Sequence, residues 1–267
     1  MADPAVIVET DGHVLVVTLN RPEKKNAVNC EVMCRLYDAW VRLDAEDELR
    51  VAILTGRGDT FCAGMDLGEI GKMRAGVSDS PWMERVKQEP HVIYGAWLKT
   101  LRPKKPVILA AEGFARAGGT EILQGTDIRV AAESAEFGVT EVQRGLFPMA
   151  GSTVRLPRQM PWTVAVEMLV TGSSITARRA YELGLVGHVV PDGQALAKAR
   201  EIAQRIAENG PLAVKAIMAT IRETATMPEA EAFAIELKHG MMAMASEDAA
   251  EGPRAFLEKR KPVFKGR

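Results

Sequence analysis

The chemistry-bearing residues of this chain of 267 fall in four short segments. They are Phe61-Cys62-Ala63-Gly64-Met65-Asp66-Leu67, Gly113-Phe114-Ala115-Arg116-Ala117-Gly118-Gly119-Thr120-Glu121, Phe137-Gly138-Val139-Thr140-Glu141 and Gly145-Leu146-Phe147-Pro148-Met149-Ala150-Gly151-Ser152. The first two are small-residue turns that follow apolar runs, and such turns leave backbone N–H groups free to point at a ligand. A helix opening near Gly118 would add its unpaired N–H groups and the positive end of its dipole. Two such turns side by side would make an oxyanion hole. Glu121 lies three residues after Gly118, and Glu141 twenty residues further on. Two carboxyls beside an oxyanion hole suit acid–base work next to an activated carbonyl. Each element alone also has a plainer reading: Gly-Gly for close packing, a first-turn Glu for the helix dipole, and Glu141 as a surface residue.

The flanking pattern says what positions these segments. Ala5 to Glu9 and His13 to Leu19 are β-branched runs separated by Asp11-Gly12, a hairpin signal. Residues 27–43 carry Val32, Leu36, Trp40 and Leu43 at helical spacing, which also places Cys30 and Cys34 on one buried helix face. Strands are expected at Val51 to Leu54, Pro106 to Ala111 and Asp127 to Ala132, and a helix after the Gly145 to Gly151 loop. Between Gly68 and Lys105 the pattern is weak. A helix near Val92 to Leu101 is the one element expected there, with His91, Tyr94 and Trp97 read as packing or surface residues. Strands alternating with helices point to an α/β fold with crossovers. From Gln194 to Arg260 nearly all residues are helix formers, broken at Asn209-Gly210-Pro211. The apolar positions Ile202, Ile206, Leu212, Ile217 and Ile221 must fold back on the core or build an oligomer.

Composition bounds the function. With 47% hydrophobic and 26% charged residues the chain is neither disordered, collagen-like nor a coiled-coil rod. Lys plus Arg number 34 and Asp plus Glu 35, a balance that argues against a nucleic-acid partner. The three cysteines, Cys30, Cys34 and Cys62, show no disulfide or metal spacing, so no metal site is expected. There is no apolar run of the ~18 residues a membrane span needs and no leader pattern. The expectation is a cytoplasmic protein without a membrane partner.

Taken in order, the four segments resemble the crotonase superfamily, specifically enoyl-CoA hydratase. The resemblance extends to Leu19-Asn20-Arg21-Pro22 with Asn26-Ala27, to Val170-Thr171-Gly172 with Ile175-Thr176-Ala177, to Gly184-Leu185-Val186, and to the tail Glu251-Gly252-Pro253-Arg254-Ala255-Phe256 and Lys259-Arg260-Lys261-Pro262. It implies a ClpP-like spiral of repeated β-β-α units over residues 1–193. A C-terminal helical region, residues 194–267, would assemble a homotrimer or a dimer of trimers. It also implies a place in lipid metabolism (fatty-acid β-oxidation), and no cofactor, since coenzyme A is part of the acyl-CoA thioester substrate.

By motif position the resemblance assigns the oxyanion-hole N–H groups to Met65 and Gly118, and the two hydratase glutamates to Glu121 and Glu141. Isomerases and dehalogenases of the superfamily commonly lack one or both. Glu121 would direct a water to C3 of a trans-2-enoyl thioester and Glu141 would deliver the proton to C2, with syn addition. Alternatives within the superfamily are double-bond isomerisation and carnitinyl-CoA dehydration, and outside enzymology a silent acyl-CoA binder. Contacts to CoA would come from Lys25, Ala27, Cys62, Ala63, Asp66 and Leu67, with Lys259, Lys261 and Phe264 reaching a neighbouring subunit's CoA. The sequence departs from the usual pattern at Ala117, Val139, Thr140 and the Pro148 to Ser152 loop. The run Gly118 to Val130 is similar to actinobacterial members acting on bulky or steroid side-chain enoyl-CoA, which implies an unusual acyl pocket gated by residues 68–105.

Overall fold

A computed structural model describes residues 3–267. The chain opens with the expected hairpin, β1 (Val6–Asp11) and β2 (Val14–Leu19), turned at Gly12 with φ +56°. Helix α1 (Cys30–Ala45) follows. The Asn29 side chain caps it by accepting the Val32 N–H at 3.0 Å. Next come β3 (Val51–Gly56) and three short helices, α2 (Leu67–Arg74), α3 (Pro81–Gln88) and α4 (His91–Ala96). The helix expected to run to Leu101 ends at Ala96 because Leu98 adopts φ +55°, outside the helical region. Then follow β4 (Val107–Ala111), β5 (Phe114–Arg116), α5 (Gly118–Gly125), β6 (Ile128–Ala132), β7 (Glu136–Gly138), α6 (Ser152–Gln159) and α7 (Trp162–Thr171). The chain closes with β8 (Ser174–Thr176), α8 (Ala177–Glu182), β9 (His188–Val190), α9 (Ala195–Ala207), α10 (Pro211–Thr224), α11 (Glu229–Met244) and α12 (Glu247–Leu257).

Two sheets organise these elements. The larger has the order β1-β2-β3-β4-β6-β9, parallel except for the hairpin, and the smaller the order β5-β7-β8. Successive turns of the chain lay one strand in the large sheet, one in the small sheet and then a helix, as in β4–β5–α5 and β6–β7–α6. An isolated bridge from Cys62 to Ala115 gives the β3 turn the same pattern. Both faces of the large sheet are apolar, as a parallel sheet requires. Val16, Ile53, Ile108 and Val130 face one way, onto the Ala195, Ala199, Ala203 and Ala207 stripe of α9. Leu15, Val17, Leu54 and Leu109 face the other way, onto α1 and the main core.

Helix α9 is therefore a layer of the core. The helical region left with an open apolar face starts at α10, not at residue 194, because four alanines give α9 a face flat enough to sit on the sheet.

Parallel strands send all their carboxyl ends to one edge of the sheet. The connections leaving β3 and β4 there are the two small-residue turns.

Candidate active site

The two turns touch. Gly64, at φ +95°, sits so close to the second turn that a Cβ on it would lie 2.9 Å from the Ala117 Cβ and 3.2 Å from the Gly118 nitrogen. A Cβ on Gly119 would meet the Cys62 carbonyl at 2.5 Å. Glycine at both positions is what lets the backbones approach this closely. Hydrogen bonds from Cys62 N to Phe114 O (3.1 Å) and from Arg116 N to Cys62 O (3.0 Å) zip the turns together. Val28 N to Gly64 O (2.8 Å) and Asp66 N to Val28 O (2.9 Å) brace the first turn from behind. What remains is a pair of backbone donors, Met65 N–H and Gly118 N–H, with no acceptor among the described residues.

The start of α5 is held in a costly conformation. Ala117 has φ +50° and ψ −124°, a region that non-glycine residues rarely occupy. Its surroundings enforce it. Ala117 N donates to Gly138 O at 2.8 Å, and Ala117 O accepts Thr120 N and Glu121 N at 2.9 and 3.1 Å. Trp97, read from sequence as packing, does more: its indole N–H donates to Gly118 O at 3.0 Å. Trp97 is itself placed by Trp40, whose indole donates to Ala96 O at 3.0 Å.

The carboxyls arrive from two elements. Glu121 is buried in the first turn of α5, 3% exposed, and its Oε1 accepts Ser152 N at 3.0 Å. Glu141 opens a short 3-10 turn, Glu141–Arg144, just after β7. A buried threonine fixes one against the other. The Thr120 hydroxyl donates to Ala115 O at 2.6 Å and accepts Gly138 N at 3.1 Å, tying the end of β7 to α5. Burial pushes the Glu121 carboxyl up, against the donors on the residue 150–152 backbone. Burial, then the charge of Glu121, push Glu141 up to about 7. Glu141 Oε2 is buried with no partner in the chain. Raised in this way, the Glu141 carboxyl is held toward its protonated form.

One cavity of about 760 Å³ contains this arrangement. Its wall includes Ala27, Ala63, Met65, Asp66, Leu67, Gly118, Glu121 and Glu141, so eight of the residues singled out from sequence meet in one place. Burial works against ionisation of Asp66, but the Arg21 guanidinium at 3.0 Å and the Gly68 N–H outweigh it and keep this carboxyl below its ordinary value.

Other expected residues lie elsewhere. Lys25 sits in a left-handed conformation with its Nζ turned 3.1 Å from Asp59, and Lys24 lines the cavity in its place. Cys62 is fully buried, and burial raises its thiol to about 12. Its backbone groups bind Phe114 and Arg116, so it shapes the turn and does not line the cavity. Lys259, Lys261 and Phe264 are outside the cavity of their own chain. The Phe264 ring lies close to Gly210 and Gly252.

The sequence reading missed Arg74, Arg116 and Arg144, which bring positive charge to the cavity wall. The spacing of Arg144, three residues after Glu141, was the available signal. Much of the remaining wall is apolar, with Ile70, Ile93, Tyr94, Leu146, Phe147 and Met149 among it.

Against known proteins, the model of the enoyl-CoA hydratase/isomerase family matches residues 9–267. Enoyl-CoA hydratase EchA19 of Mycobacterium tuberculosis is 53% identical over 264 residues, 99% of this chain and 97% of the relative. A carnitinyl-CoA dehydratase of Salmonella typhi is 37% identical over 262 residues, 96% of this chain and 97% of the relative. Among solved structures, an enoyl-CoA hydratase from Mycobacterium tuberculosis superposes with a TM-score of 0.89 at 40% identity, covering 99% of this chain and 100% of that one.

Proposed function

The chain belongs to the enoyl-CoA hydratase/isomerase family, and it has the crotonase fold. From that premise we propose that it adds water across the C2=C3 bond of a trans-2-enoyl-CoA to give a 3-hydroxyacyl-CoA. The observation that carries this reading is the meeting, in one cavity, of two carboxyls with two unengaged backbone N–H groups.

The Met65 and Gly118 N–H groups would hold the thioester oxygen as it takes on enolate charge, worth about 3 kcal/mol per donor where such donors have been removed. A water gripped by both carboxyls would lose its proton to ionised Glu121 while its oxygen bonds to C3. Protonated Glu141 would give its proton to C2 on the same face. The rise of Glu141 to about 7 supports its role as the acid. No cofactor is needed, because coenzyme A arrives with the substrate. Ala27, Ala63, Asp66 and Leu67 at the cavity wall are the proposed CoA contacts. The apolar wall from Ile70 to Met149 supports a bulky apolar acyl group.

We also read the exposed apolar face of α10 and α11, with Ile217, Ile221, Phe233, Leu237 and Met241, as the surface on which copies assemble into a trimer or a dimer of trimers. In such an assembly Lys259, Lys261 and Phe264 are placed to serve a neighbour's CoA.

The test is loss of the conjugated enoyl-thioester ultraviolet absorbance across a panel from crotonyl-CoA to long-chain and steroid side-chain enoyl-CoA. Hydration should be rapid for one acyl class. It should fall roughly 10²–10⁴-fold in Glu121→Gln or in Glu141→Gln, with the double variant little worse than either. Tight binding of CoA esters with no absorbance loss for any substrate would refute hydration and favour isomerisation or silent binding.

A further inference from the structure

Behind Glu121 lies a buried polar pair with no role so far. Gln124 follows Glu121 by three residues, so both side chains stand on one face of α5. Gln124 is 1% exposed and Ser152, the first residue of α6, is 0% exposed. Gln124 Nε2 donates to Ser152 Oγ at 2.9 Å, and Ser152 N donates to Glu121 Oε1 at 3.0 Å. The Ser152 hydroxyl belongs to the residue whose N–H holds that carboxylate, and it is among the donors that favour the ionised form. The backbone of this turn is pinned as well, since Gln124 O accepts Gln159 Nε2 at 3.0 Å and Arg129 Nη2 at 3.2 Å.

The pair has a cost. Gln124 Oε1 is buried with no hydrogen-bond partner, a penalty that an apolar side chain of the same length would not incur. What the amide supplies in return is one donor, directed at Ser152 Oγ. Once that oxygen accepts from Gln124, its own hydrogen is free to turn to the carboxylate beside it.

We propose that Gln124 and Ser152 form a positioning relay for Glu121, in which the Gln124 amide fixes the Ser152 hydroxyl and Ser152 presents both hydroxyl and backbone N–H to the carboxylate. The proposal rests on Glu121 being the base of the hydration. A base buried this deeply must be kept charged by donors, and it must be aimed at the water. The other charged groups facing Glu121 are Glu141, which opposes its ionisation, and Arg155 of α6, which favours it. Arg155 is held by the carbonyls of Trp97 and Leu98.

The decisive measurement is the titration of the Glu121 carboxyl by infrared spectroscopy, its band identified by its loss in Glu121→Gln. A Glu141→Gln background removes the coupling between the two carboxyls. Ser152→Ala keeps the backbone donor and removes the hydroxyl. Gln124→Met, with Gln124→Leu as a second variant should it fold poorly, removes the amide donor. Each is expected to raise the apparent pKa of Glu121 by about half to one pH unit. The Gln124/Ser152 double variant should shift no further than Ser152→Ala alone, since Gln124 acts through Ser152, and Ser152→Thr should restore the titration. With Glu141 present, the acidic limb of kcat/KM should move to higher pH by the same amount. An unmoved Glu121 titration, or shifts that simply add, would overturn the relay. Failure of the unsubstituted protein to hydrate any enoyl-CoA would refute the hydratase reading, and the infrared titration would still decide the relay.

Discussion

At the scale of single residues, the cavity concentrates stability costs where chemistry is proposed. Burial and the neighbouring Glu121 push Glu141 up to about 7 from an ordinary carboxyl value of 4.5, so the fold favours its protonated form. A carboxyl raised in this way stabilises the fold fully below its unfolded value, and the benefit disappears as pH rises through 7. Above that, the native state carries a buried charge whose Oε2 has no partner. Glu141→Gln should therefore gain stability relative to the parent when the pH is raised from 5 to 8. About 1–2 kcal/mol is expected, after allowance for the open side of the carboxyl. Urea unfolding of both proteins at the two pH values reads this directly, and equal differences at both would refute it. Ala117 shows the same economy in the backbone, a strained residue held in place by Gly138, Thr120 and Glu121.

At the scale of elements, the relation between the two carboxyls depends on how β7 docks on α5, and one hydroxyl does much of that work. Thr120→Val keeps the shape and removes the hydroxyl's bonds to Ala115 O and Gly138 N in a dry site. The substitution should destabilise by about 1–3 kcal/mol. It should also lower kcat more than it changes KM, because Glu141 rides on the strand end that Thr120 holds. Thermal melting and steady-state kinetics together test this, and a stability loss with kcat intact would show that β7 keeps its place without the clamp. Elsewhere, element ends are secured by equally local chemistry. Lys105, 2% exposed, donates its ammonium to Leu43 O and Glu46 O at 2.7 and 2.6 Å and so closes the last turn of α1. Among the described residues no helix is long and apolar enough to cross a membrane.

At the scale of the whole molecule, a core built around two sheets contrasts with a C-terminal helical layer whose large apolar side chains face outward. Phe233, Leu237, Met241 and Met242 of α11 are each more than half exposed. A contiguous face of this kind favours burial against another copy. Sedimentation should therefore give three or six times the 29.0 kDa chain mass. Leu237→Glu combined with Met241→Glu should dissociate the assembly, because each new charge would have to be buried without a partner. A parent protein that sediments at the single-chain mass would refute the assembly reading.

Much of this was legible in the residues themselves. The hairpin at Asp11-Gly12, the helix carrying Cys30 and Cys34, the strands before both turns and the helix opening at Gly118 follow from local periodicity and turn chemistry, which act over a few residues. Met65, Gly118, Glu121 and Glu141 are singled out by the resemblance of the four ordered segments to a known family, not by any one local pattern. Only the folded chain decides which groups meet across long separations. It turns Lys24 and not Lys25 to the cavity, ends α4 at Ala96, makes α9 a core layer and sets Trp97 on Gly118 O. It also stacks Gln124 and Ser152 behind Glu121. These outcomes depend on packing between elements tens of residues apart, where a one-residue change in facing moves a side chain from cavity to solvent, and no local pattern encodes that choice.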